Sequence, residues 1–289
     1  MTAPGGGSSA VAQQGWLLHG RRYRENSVIA TMLTASSGKV SGVVHGSRGK
    51  SRSAADSLQS FQPYSFSQYG RSDLKNFSSL DFAGRGFGLR GRAALVGLYF
   101  NELLYLLLPE EERVPEIFAL YTSSLQRLVD SVHEPAAASD AVAAFSAQDP
   151  ALRLMREFEL TLTTELGLHP GFASDAAGDQ IQAGIRYVFI SSTGWLPEVQ
   201  AVGEPSHLAI LSASGRLLQA VGAADWQVNG ALGLARQLTA AVIDRSLDGR
   251  TLNTRQLIQD AARLDLARLA TLRGAQSEST NEDHRHHDN

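Results

Sequence analysis

The stretch from Gly38 to Arg52 has the sequence Gly-Lys-Val-Ser-Gly-Val-Val-His-Gly-Ser-Arg-Gly-Lys-Ser-Arg. Its first half is typical of a β-strand, with Val40, Val43 and Val44 as its apolar members. Its second half is rich in glycine and serine and contains three cations, which are Arg48, Lys50 and Arg52. Cations neutralise phosphates, and glycines let the backbone approach closely. The pattern therefore indicates either a loop that holds a polyanion or a solvated surface loop.

The charge of the chain is divided unequally along its length. Residues 1–92 contain twelve Lys and Arg against four Asp and Glu, a net charge of +8. Residues 93–289 contain fourteen against twenty-five, a net charge of −11, so that the whole chain carries −3. A basic segment before an acidic body indicates that the N-terminal part meets an anion. The cations predicted to contact it are Arg21, Arg22, Lys39, Arg48, Lys50, Arg52, Arg71 and Lys75.

Composition excludes several classes of protein. The sequence has no cysteine, which excludes disulfides, cysteine nucleophiles and zinc sites built on thiolates. The N-terminus lacks the basic and apolar regions of a signal peptide, and the longest apolar run, residues 103–108, is too short to span a bilayer. We expect a cytoplasmic protein whose residues 1–12 and 274–289 are disordered tails.

Residues 13–83 have the pattern of five short strands, predicted over residues 16–20, 26–34, 39–46, 58–69 and 74–82. Short strands joined by Gly, Ser and Asp turns indicate a small closed barrel. Aromatic rings and cations on such a barrel are typical of proteins that bind single-stranded nucleic acid. Core packing is the alternative for each ring, and we place Trp16, Phe61 and Phe82 inside.

The remaining chain is mainly helical in pattern. Apolar periodicity predicts helices over residues 93–108, from Pro115, from Pro150, over residues 230–247 and over residues 254–272, with a short Ala-rich helix before Pro150. Residues 185–190 and 208–211 are predicted strands. The acidic loop, residues 110–112 (Glu-Glu-Glu), is interpreted as a solvated connection.

Motifs of catalysis are scarce. Residues 86–91 match the dinucleotide fingerprint G-x-G-x-x-G, but that motif needs a βαβ unit and here the elements that follow are helices. We interpret the segment as a flexible link in which Arg85, Arg90 and Arg92 extend the basic region. The sequence contains no phosphate-binding P-loop, H-E-x-x-H or G-x-S-x-G motif. We therefore predict a protein that is not an enzyme and needs no cofactor and no metal.

Several short segments, taken in order, resemble the RecO family of bacterial DNA repair and recombination mediators. They are Tyr23-Arg-Glu25, residues 34–40, His45-Gly-Ser-Arg48 with Lys50-Ser-Arg52, residues 58–63, Gly97-Leu-Tyr99 with residues 101–104, Leu152-Arg153 with Phe158-Glu-Leu160 and Leu166-Gly167, and residues 247–256. The similarity runs from about residue 14 to residue 264. Each segment is short, and their common order and spacing make the resemblance specific.

The resemblance implies an α+β multidomain fold. An N-terminal OB-fold β-barrel (residues 13–88) would precede a mainly α-helical domain (residues 89–172). Residues 173–222 would form a small β-containing insertion, and residues 223–273 would form C-terminal helices that pack on the helical domain. In the family the small domain often holds zinc through four cysteines. This sequence has no cysteine, so we expect a zinc-less counterpart here.

The resemblance also implies a function. Such a protein would bind single- and double-stranded DNA, anneal complementary strands and, with RecR as partner, load recombinase onto DNA coated by single-stranded-DNA-binding protein (SSB). The acidic, apolar tail of SSB would bind the helical domain, for which the candidate residues are Arg153, Arg156 and Phe158. An ordinary i,i+4 helix pair with Glu157 is the alternative for Arg153. The alternative for the whole chain is a protein scaffold that does not bind DNA.

Overall fold

The computed structural model describes residues 12–45, 58–70, 74–78, 80–133, 149–169, 171–201 and 209–264. Its strands are β1 (Gln13–Tyr23), β2 (Ser27–Thr34), β3 (Gly38–His45), β4 (Pro63–Phe66), β5 (Gln68–Tyr69), β6 (Lys75–Phe77), β7 (Asp81–Phe82), β8 (Arg186–Ile190), β9 (Gly194–Pro197) and β10 (Ala209–Ser214). Its helices are α1 (Gly91–Leu107), α2 (Pro115–His133), α3 (Pro150–Glu165), α4 (Gly215–Gly222), α5 (Ala231–Ser246) and α6 (253–264).

The first seven strands form one strongly curled, OB-like half-barrel, called the barrel below, with the order β5-β6-β3-β2-β1-β4-β7. All its strand pairs are antiparallel except β3 with β6. Alternate residues point inward and fill the interior, namely Leu17, Val28, Ala30, Met32, Val40, Val44, Tyr64, Phe66 and Phe77. Gly42 leaves room for the Phe77 ring, since a Cβ there would lie 2.6 Å from it. The predicted α+β fold with an N-terminal OB-type barrel and a following helical region is confirmed.

The strand count differs from the sequence prediction. The fourth predicted strand is divided into β4 and β5, and the fifth into β6 and β7. Ser67 and Ser78 mark both divisions: the Ser67 amide donates to Ser78 Oγ, and the Ser78 amide donates to Ser67 O, each at 2.9 Å. These two hydrogen bonds connect the junction between β4 and β5 with the residue that follows β6. A bulge between Leu17 and His19 interrupts the pairing of β1 with β2 and adds to the twist.

The outer face of the barrel packs against the helices. Trp16 stacks on Phe87 at 5.5 Å between ring centroids, and its indole Nε1 donates to Thr122 Oγ1 on α2 at 3.1 Å. Trp16 and Phe61 are buried, as predicted, and both belong to the core shared with the helices. The prediction for Phe82 is wrong: its side chain is 59% exposed. Phe82 ends the two-residue strand β7 at the sheet edge, where no further strand covers it.

Helix α1 is apolar on most sides because other elements surround it. Its side chains contact the barrel, α2 and α3, and the buried ones include Val96, Tyr99, Phe100, Leu103 and Leu104. Asp149 caps α3, since its Oδ1 accepts from the Ala151 amide at 2.9 Å, and Pro150 occupies the first turn. Within the described residues, no helix combines the length and apolar character needed to cross a bilayer.

The small subdomain, residues 171–222, contains a three-stranded sheet, β10-β8-β9, and helix α4. Strand β9 and helix α4 were not predicted. Phe172, Tyr187, Phe189 and Trp195 pack with α4 and α5 in one apolar core. The chain has no cysteine, and the described residues include no cluster of three or more His, Asp or Glu that suits a metal ion. These residues do not fit a thiolate-bound zinc, and aromatic packing occupies the centre of the subdomain.

Other helix predictions agree with the structure where it describes them. Helix α5 matches the predicted residues 230–247 closely, and α6 begins one residue before Thr254. The predicted Ala-rich helix before Pro150 and residues 265–272 lie outside the described residues. Residues 86–91 connect the barrel to α1, and among the described residues α2 follows α1 with no intervening strand. This order agrees with the interpretation of the glycine motif as a connection.

Candidate nucleic-acid interface

One end of the barrel collects exposed cations. Tyr23, Ser27 and His45 lie in register across β1, β2 and β3, so the β1–β2 turn and the end of β3 are neighbours. We call this the basic end. The chain leaves the sheet at His45 and enters the segment that carries Arg48, Lys50 and Arg52, which lies outside the described residues. Arg71 also lies outside them.

Three arginines of the described residues belong to the basic end. Arg21 and Arg22 are exposed on the last part of β1. Arg24 is exposed in the turn with φ of 54°, and its guanidinium carbon lies 5.1 Å from the centroid of the Tyr23 ring. A cation over an aromatic face is attracted by the ring quadrupole. This attraction favours placement of the Arg24 guanidinium beside the Tyr23 ring. Arg24 was not among the predicted contacts, although its position directly after Arg21-Arg22-Tyr23 was a signal.

Lys39 lies at the opposite end of β3 and is only 8% exposed. Its Nζ donates to the carbonyl oxygen of Tyr105 on α1 at 2.9 Å and lies 3.7 Å from Glu110 Oε1. Burial lowers the pKa of Lys39, and the nearby Glu110 carboxylate opposes that shift. The sequence placed Lys39 among the DNA contacts, whereas in the structure its amine is already engaged between the barrel and the helices.

The acidic loop contacts the barrel at this opposite end, which we call the docked end. The Glu111 amide donates to Lys39 O at 2.7 Å, and the Glu111 carboxylate lies 2.9 Å from Lys75 Nζ. Ser41 Oγ donates to Glu110 at 3.2 Å. Gly38, with φ of 64°, lies so close to the Glu112 carbonyl that a Cβ would overlap it. Residues 110–112 are exposed, as predicted for a solvated connection, and they also contact the barrel, where Lys75 is paired with Glu111.

The arginines of the connection to α1 are divided. Arg85 and Arg90 are exposed. Arg92 lies 2.6 Å from the carboxylate of Asp149, the residue that caps α3. Arg92 therefore links α1 to α3, and Arg85 and Arg90 are the members of this group that face solvent.

The residues predicted to bind the SSB tail lie mainly inside the helical region. Phe158 is fully buried and stacks on Phe100 with 3.9 Å between ring centroids. Arg156 donates to Glu159 at 2.6 Å, and only 11% of its side chain is exposed. Arg153 is half-buried. Arg156 and Phe158 therefore serve the packing of α3 in this structure.

Glu159 is a buried carboxylate with several donors. It accepts from Tyr99 Oη and Thr239 Oγ1 at 2.5 Å each, in addition to Arg156. Burial, followed by the negative charge of Glu159, raises the pKa of Tyr99 well above its usual value. The cluster joins α1, α3 and α5, and its phenol remains protonated, so we assign it to structure.

A groove of about 400 Å³ lies between α2, α3 and the small subdomain. Its apolar wall includes Leu120, Phe172 and Trp226, and the buried Phe158 lies behind it. Arg127 stands at the groove, where its guanidinium lies 2.5 Å from Glu157. No local pattern in the sequence indicates the groove, because its residues come from distant segments of the chain.

Comparison with known proteins identifies the family. The family model described as recombination protein O N terminal matches residues 9–84, and the one described as recombination protein O C terminal matches residues 90–256. A DNA repair protein RecO of Thiobacillus denitrificans is 31% identical over 253 residues, covering 88% of this chain and 93% of its own. DNA repair proteins RecO of Hahella chejuensis and Pseudomonas paraeruginosa are each 33% identical, covering 87% of this chain and 96% of their own. The chain therefore belongs to the recombination protein O (RecO) family.

Proposed function

We propose that this protein is a DNA repair and recombination mediator that binds single- and double-stranded DNA through the basic end of its barrel and anneals complementary strands. The observation that carries the proposal is the grouping of Arg21, Arg22 and Arg24 at the barrel end from which the Arg48–Arg52 segment departs. Exposed cations bind phosphates without reading sequence. Lys39 and Lys75 are left out of the interface, because both are paired at the docked end.

The proposal predicts strong salt dependence. If about four cations contact the phosphates of a single strand, log K should fall against log salt with a slope of roughly 3. The measurement is fluorescence anisotropy of a labelled oligonucleotide over a series of salt concentrations. A flat salt response would contradict phosphate binding at the basic end.

Charge reversal tests the location. The variant R21E/R22E, and separately R48E/K50E/R52E, should weaken DNA binding and slow the annealing of complementary oligonucleotides. The control is R216E/R236E, which reverses two exposed arginines on α4 and α5 and should leave both properties unchanged. If the control variant loses as much affinity as the basic-end variants, general charge attraction explains the binding.

The family supplies the wider role that we propose. With RecR, the protein would load recombinase onto DNA coated by SSB, acting without catalysis of its own and close to the nucleoid. We propose further that residues 13–88 form the DNA-binding unit, residues 89–172 with 223–273 the helical domain and residues 173–222 the zinc-less insertion. The experiment is recombinase loading onto SSB-coated DNA, with and without RecR. If the protein anneals naked strands but has no effect on SSB-coated DNA, the proposed mediator role is wrong.

The SSB tail is proposed to bind the groove beside α2 and α3. An acidic, apolar peptide suits the apolar wall of the groove, and its carboxylates would compete with Glu157 for Arg127 at the edge. R127E should weaken binding of the SSB tail peptide, whereas R263E on α6 should not. If the groove binds the peptide and no variant at the basic end changes DNA affinity, the protein is a scaffold and the DNA proposal is wrong.

A further inference from the structure

Two rings of the barrel strands are more than half exposed among the described residues, and Tyr23 at the basic end is partly exposed. Tyr64, Phe66 and Phe77 lie in the barrel interior, whereas Tyr69 is 52% exposed and Phe82 is 59% exposed. Single exposed rings are common on protein surfaces and carry no meaning alone. The positions of these two rings in the sheet distinguish them.

Tyr69 on β5 lies in the same row of the sheet as Arg21 on β1, four strands away. Across neighbouring strands, Arg21 is opposite Ile29, Ile29 is opposite Val43, Val43 is opposite Asn76, and Asn76 is opposite Tyr69. Cross-strand neighbours point to the same side of a sheet. Tyr69 and Arg21 therefore share one outer face, one row away from the end of β3.

Phe82 lies in a different row. It is opposite Tyr64, which is opposite Gly15, and Gly15 is opposite Thr34 and thus next to Gly38. That row is at the docked end, where the acidic loop contacts Gly38. The two exposed rings therefore lie in different rows: Tyr69 in the row that crosses β3 at Val43, two residues from His45, and Phe82 in the row of Gly38.

A polar pair is fixed beside Tyr69. The His45 ring lies 3.2 Å from Ser27 Oγ through Nδ1 and 3.2 Å from Asn76 Oδ1 through Nε2. These contacts hold His45 across β2, β3 and β6 and set the orientation of the Asn76 amide. With Oδ1 engaged by His45, the amide NH₂ group of Asn76 is directed away from that contact. Tyr69 is thus an exposed ring with a positioned hydrogen-bond donor on the neighbouring strand.

We propose that Tyr69 and Asn76 form a subsite for one unpaired nucleobase. The base stacks on the exposed face of Tyr69, the Asn76 amide NH₂ donates to an oxygen or nitrogen on the edge of the base, and the phosphates on either side follow the arginines of the basic end. Every base has a π-face, so the subsite tolerates any sequence. In a duplex the bases are stacked on each other, and the subsite therefore distinguishes single strands from double strands. This inference rests on the proposed DNA binding.

The test separates stacking from phosphate contact by using two probes of equal charge. One is a short oligothymidylate, and the other is an oligonucleotide of the same length whose residues are abasic. Y69A should reduce affinity for oligothymidylate by about 5- to 100-fold, the effect of losing one base–aromatic stack, and should leave affinity for the abasic strand unchanged. Y69F keeps the ring and should bind like the unaltered protein, whereas Y69L keeps apolar bulk and should behave like Y69A.

F82A is the matched control, because it removes an equally exposed ring from the docked end of the same sheet, and it should bind both probes normally. The inference is overturned if Y69A binds oligothymidylate like the unaltered protein, if Y69L binds as well as Y69F, or if Y69A loses affinity equally for both probes. Any of these three results leaves the phosphate-binding proposal intact if log K still falls steeply against log salt. If the unaltered protein binds neither probe, the proposed function and the subsite both fail. Circular dichroism of each variant establishes that it is folded.

Discussion

At the scale of single residues, two ion pairs with the same i,i+3 spacing lie in very different surroundings. Arg156–Glu159 on α3 has side chains that are 11% and 1% exposed, whereas Asp260–Arg263 on α6 has 49% and 74%. Exposed pairs contribute little, because water screens the charges. A buried pair is costly to break, because the remaining charge is left without a partner.

We therefore expect E159A to lower the free energy of unfolding by about 3–5 kcal/mol. It removes the acceptor of Arg156, Tyr99 and Thr239 at once. D260A should change stability by less than about 0.5 kcal/mol. Urea unfolding followed by circular dichroism measures both. Equal midpoints for the two variants would show that burial of the Glu159 cluster is unimportant.

His169 gives the protein a sensitivity to acid. It is nearly fully buried, its Nδ1 accepts from the Gly171 amide at 3.1 Å, and burial lowers its pKa below the usual 6.5. As the pH falls below about 6.5, the unfolded chain takes up a proton that the folded protein does not bind. Stability is therefore retained above that pH and lost progressively as the pH falls towards the lower folded-state pKa.

The prediction is that H169N makes this loss shallower, because an amide oxygen replaces the acceptor without titrating. One proton changes the slope by at most about 1.4 kcal/mol per pH unit. Urea midpoints measured between pH 5 and 8 provide the comparison. If the urea midpoints of H169N and of the unaltered protein fall equally steeply below pH 6.5, His169 does not explain the sensitivity to acid.

At the scale of elements, the acidic loop is exposed, as its sequence predicts, and also makes a tertiary contact that no local pattern indicates. Three consecutive glutamates are typical of a solvated turn, and cations beside a strand are typical of an anion-binding surface. In the structure these two groups lie against each other, with Glu110 near Lys39 and Glu111 bound to Lys75. The contact fixes the docked end and leaves the basic end as the cationic part of the barrel.

Substitution of Lys39 tests this assignment. K39M keeps an unbranched apolar side chain but leaves the buried carbonyl of Tyr105 without its donor, so it should cost about 1–3 kcal/mol of stability. DNA affinity should change by less than about twofold, because Lys39 is not expected to contact phosphates. K75M breaks a more exposed pair and should cost less than about 1 kcal/mol. A stable K39M with much weaker DNA binding would restore Lys39 to the interface.

At the scale of the whole molecule, the barrel and the helices share one hydrophobic core. Trp16, Leu33 and Phe61 of the N-terminal part belong to the same buried cluster as Phe100 and Tyr121. The interior of the barrel is a second, smaller cluster. Removing the helices would expose the larger of the two, and exposed apolar area of this kind costs roughly 25 cal/mol per Å².

A fragment of residues 12–88 should therefore fail to fold stably, although the sequence marks it as a domain. We expect its Trp16 fluorescence to be that of a solvated indole and its amide NMR signals to be poorly dispersed. The full chain serves as the control, with Trp16 bonded to Thr122. A fragment with sharp, dispersed signals would show that the barrel interior alone is sufficient for folding.

The order of elements and the family are readable from the amino-acid sequence. Alternation of apolar residues predicted the first three strands, proline and apolar periodicity predicted α2 and α3, and the order of short segments indicated the RecO family. These signals are local, since each depends on residues within one turn, one strand or one helix. The basic character of the N-terminal segment is also visible in the sequence.

Tertiary structure alone decided which charges face solvent. Lys39 and Arg21 lie on the same barrel. Glu110 and the carbonyl oxygen of Tyr105 contact Lys39, whereas Arg21 is exposed. Likewise, strand register placed Tyr69 beside Asn76, which His45 contacts, and Phe82 in the row of Gly38. The physical reason is that burial and pairing depend on neighbours far away in sequence, which no local pattern encodes.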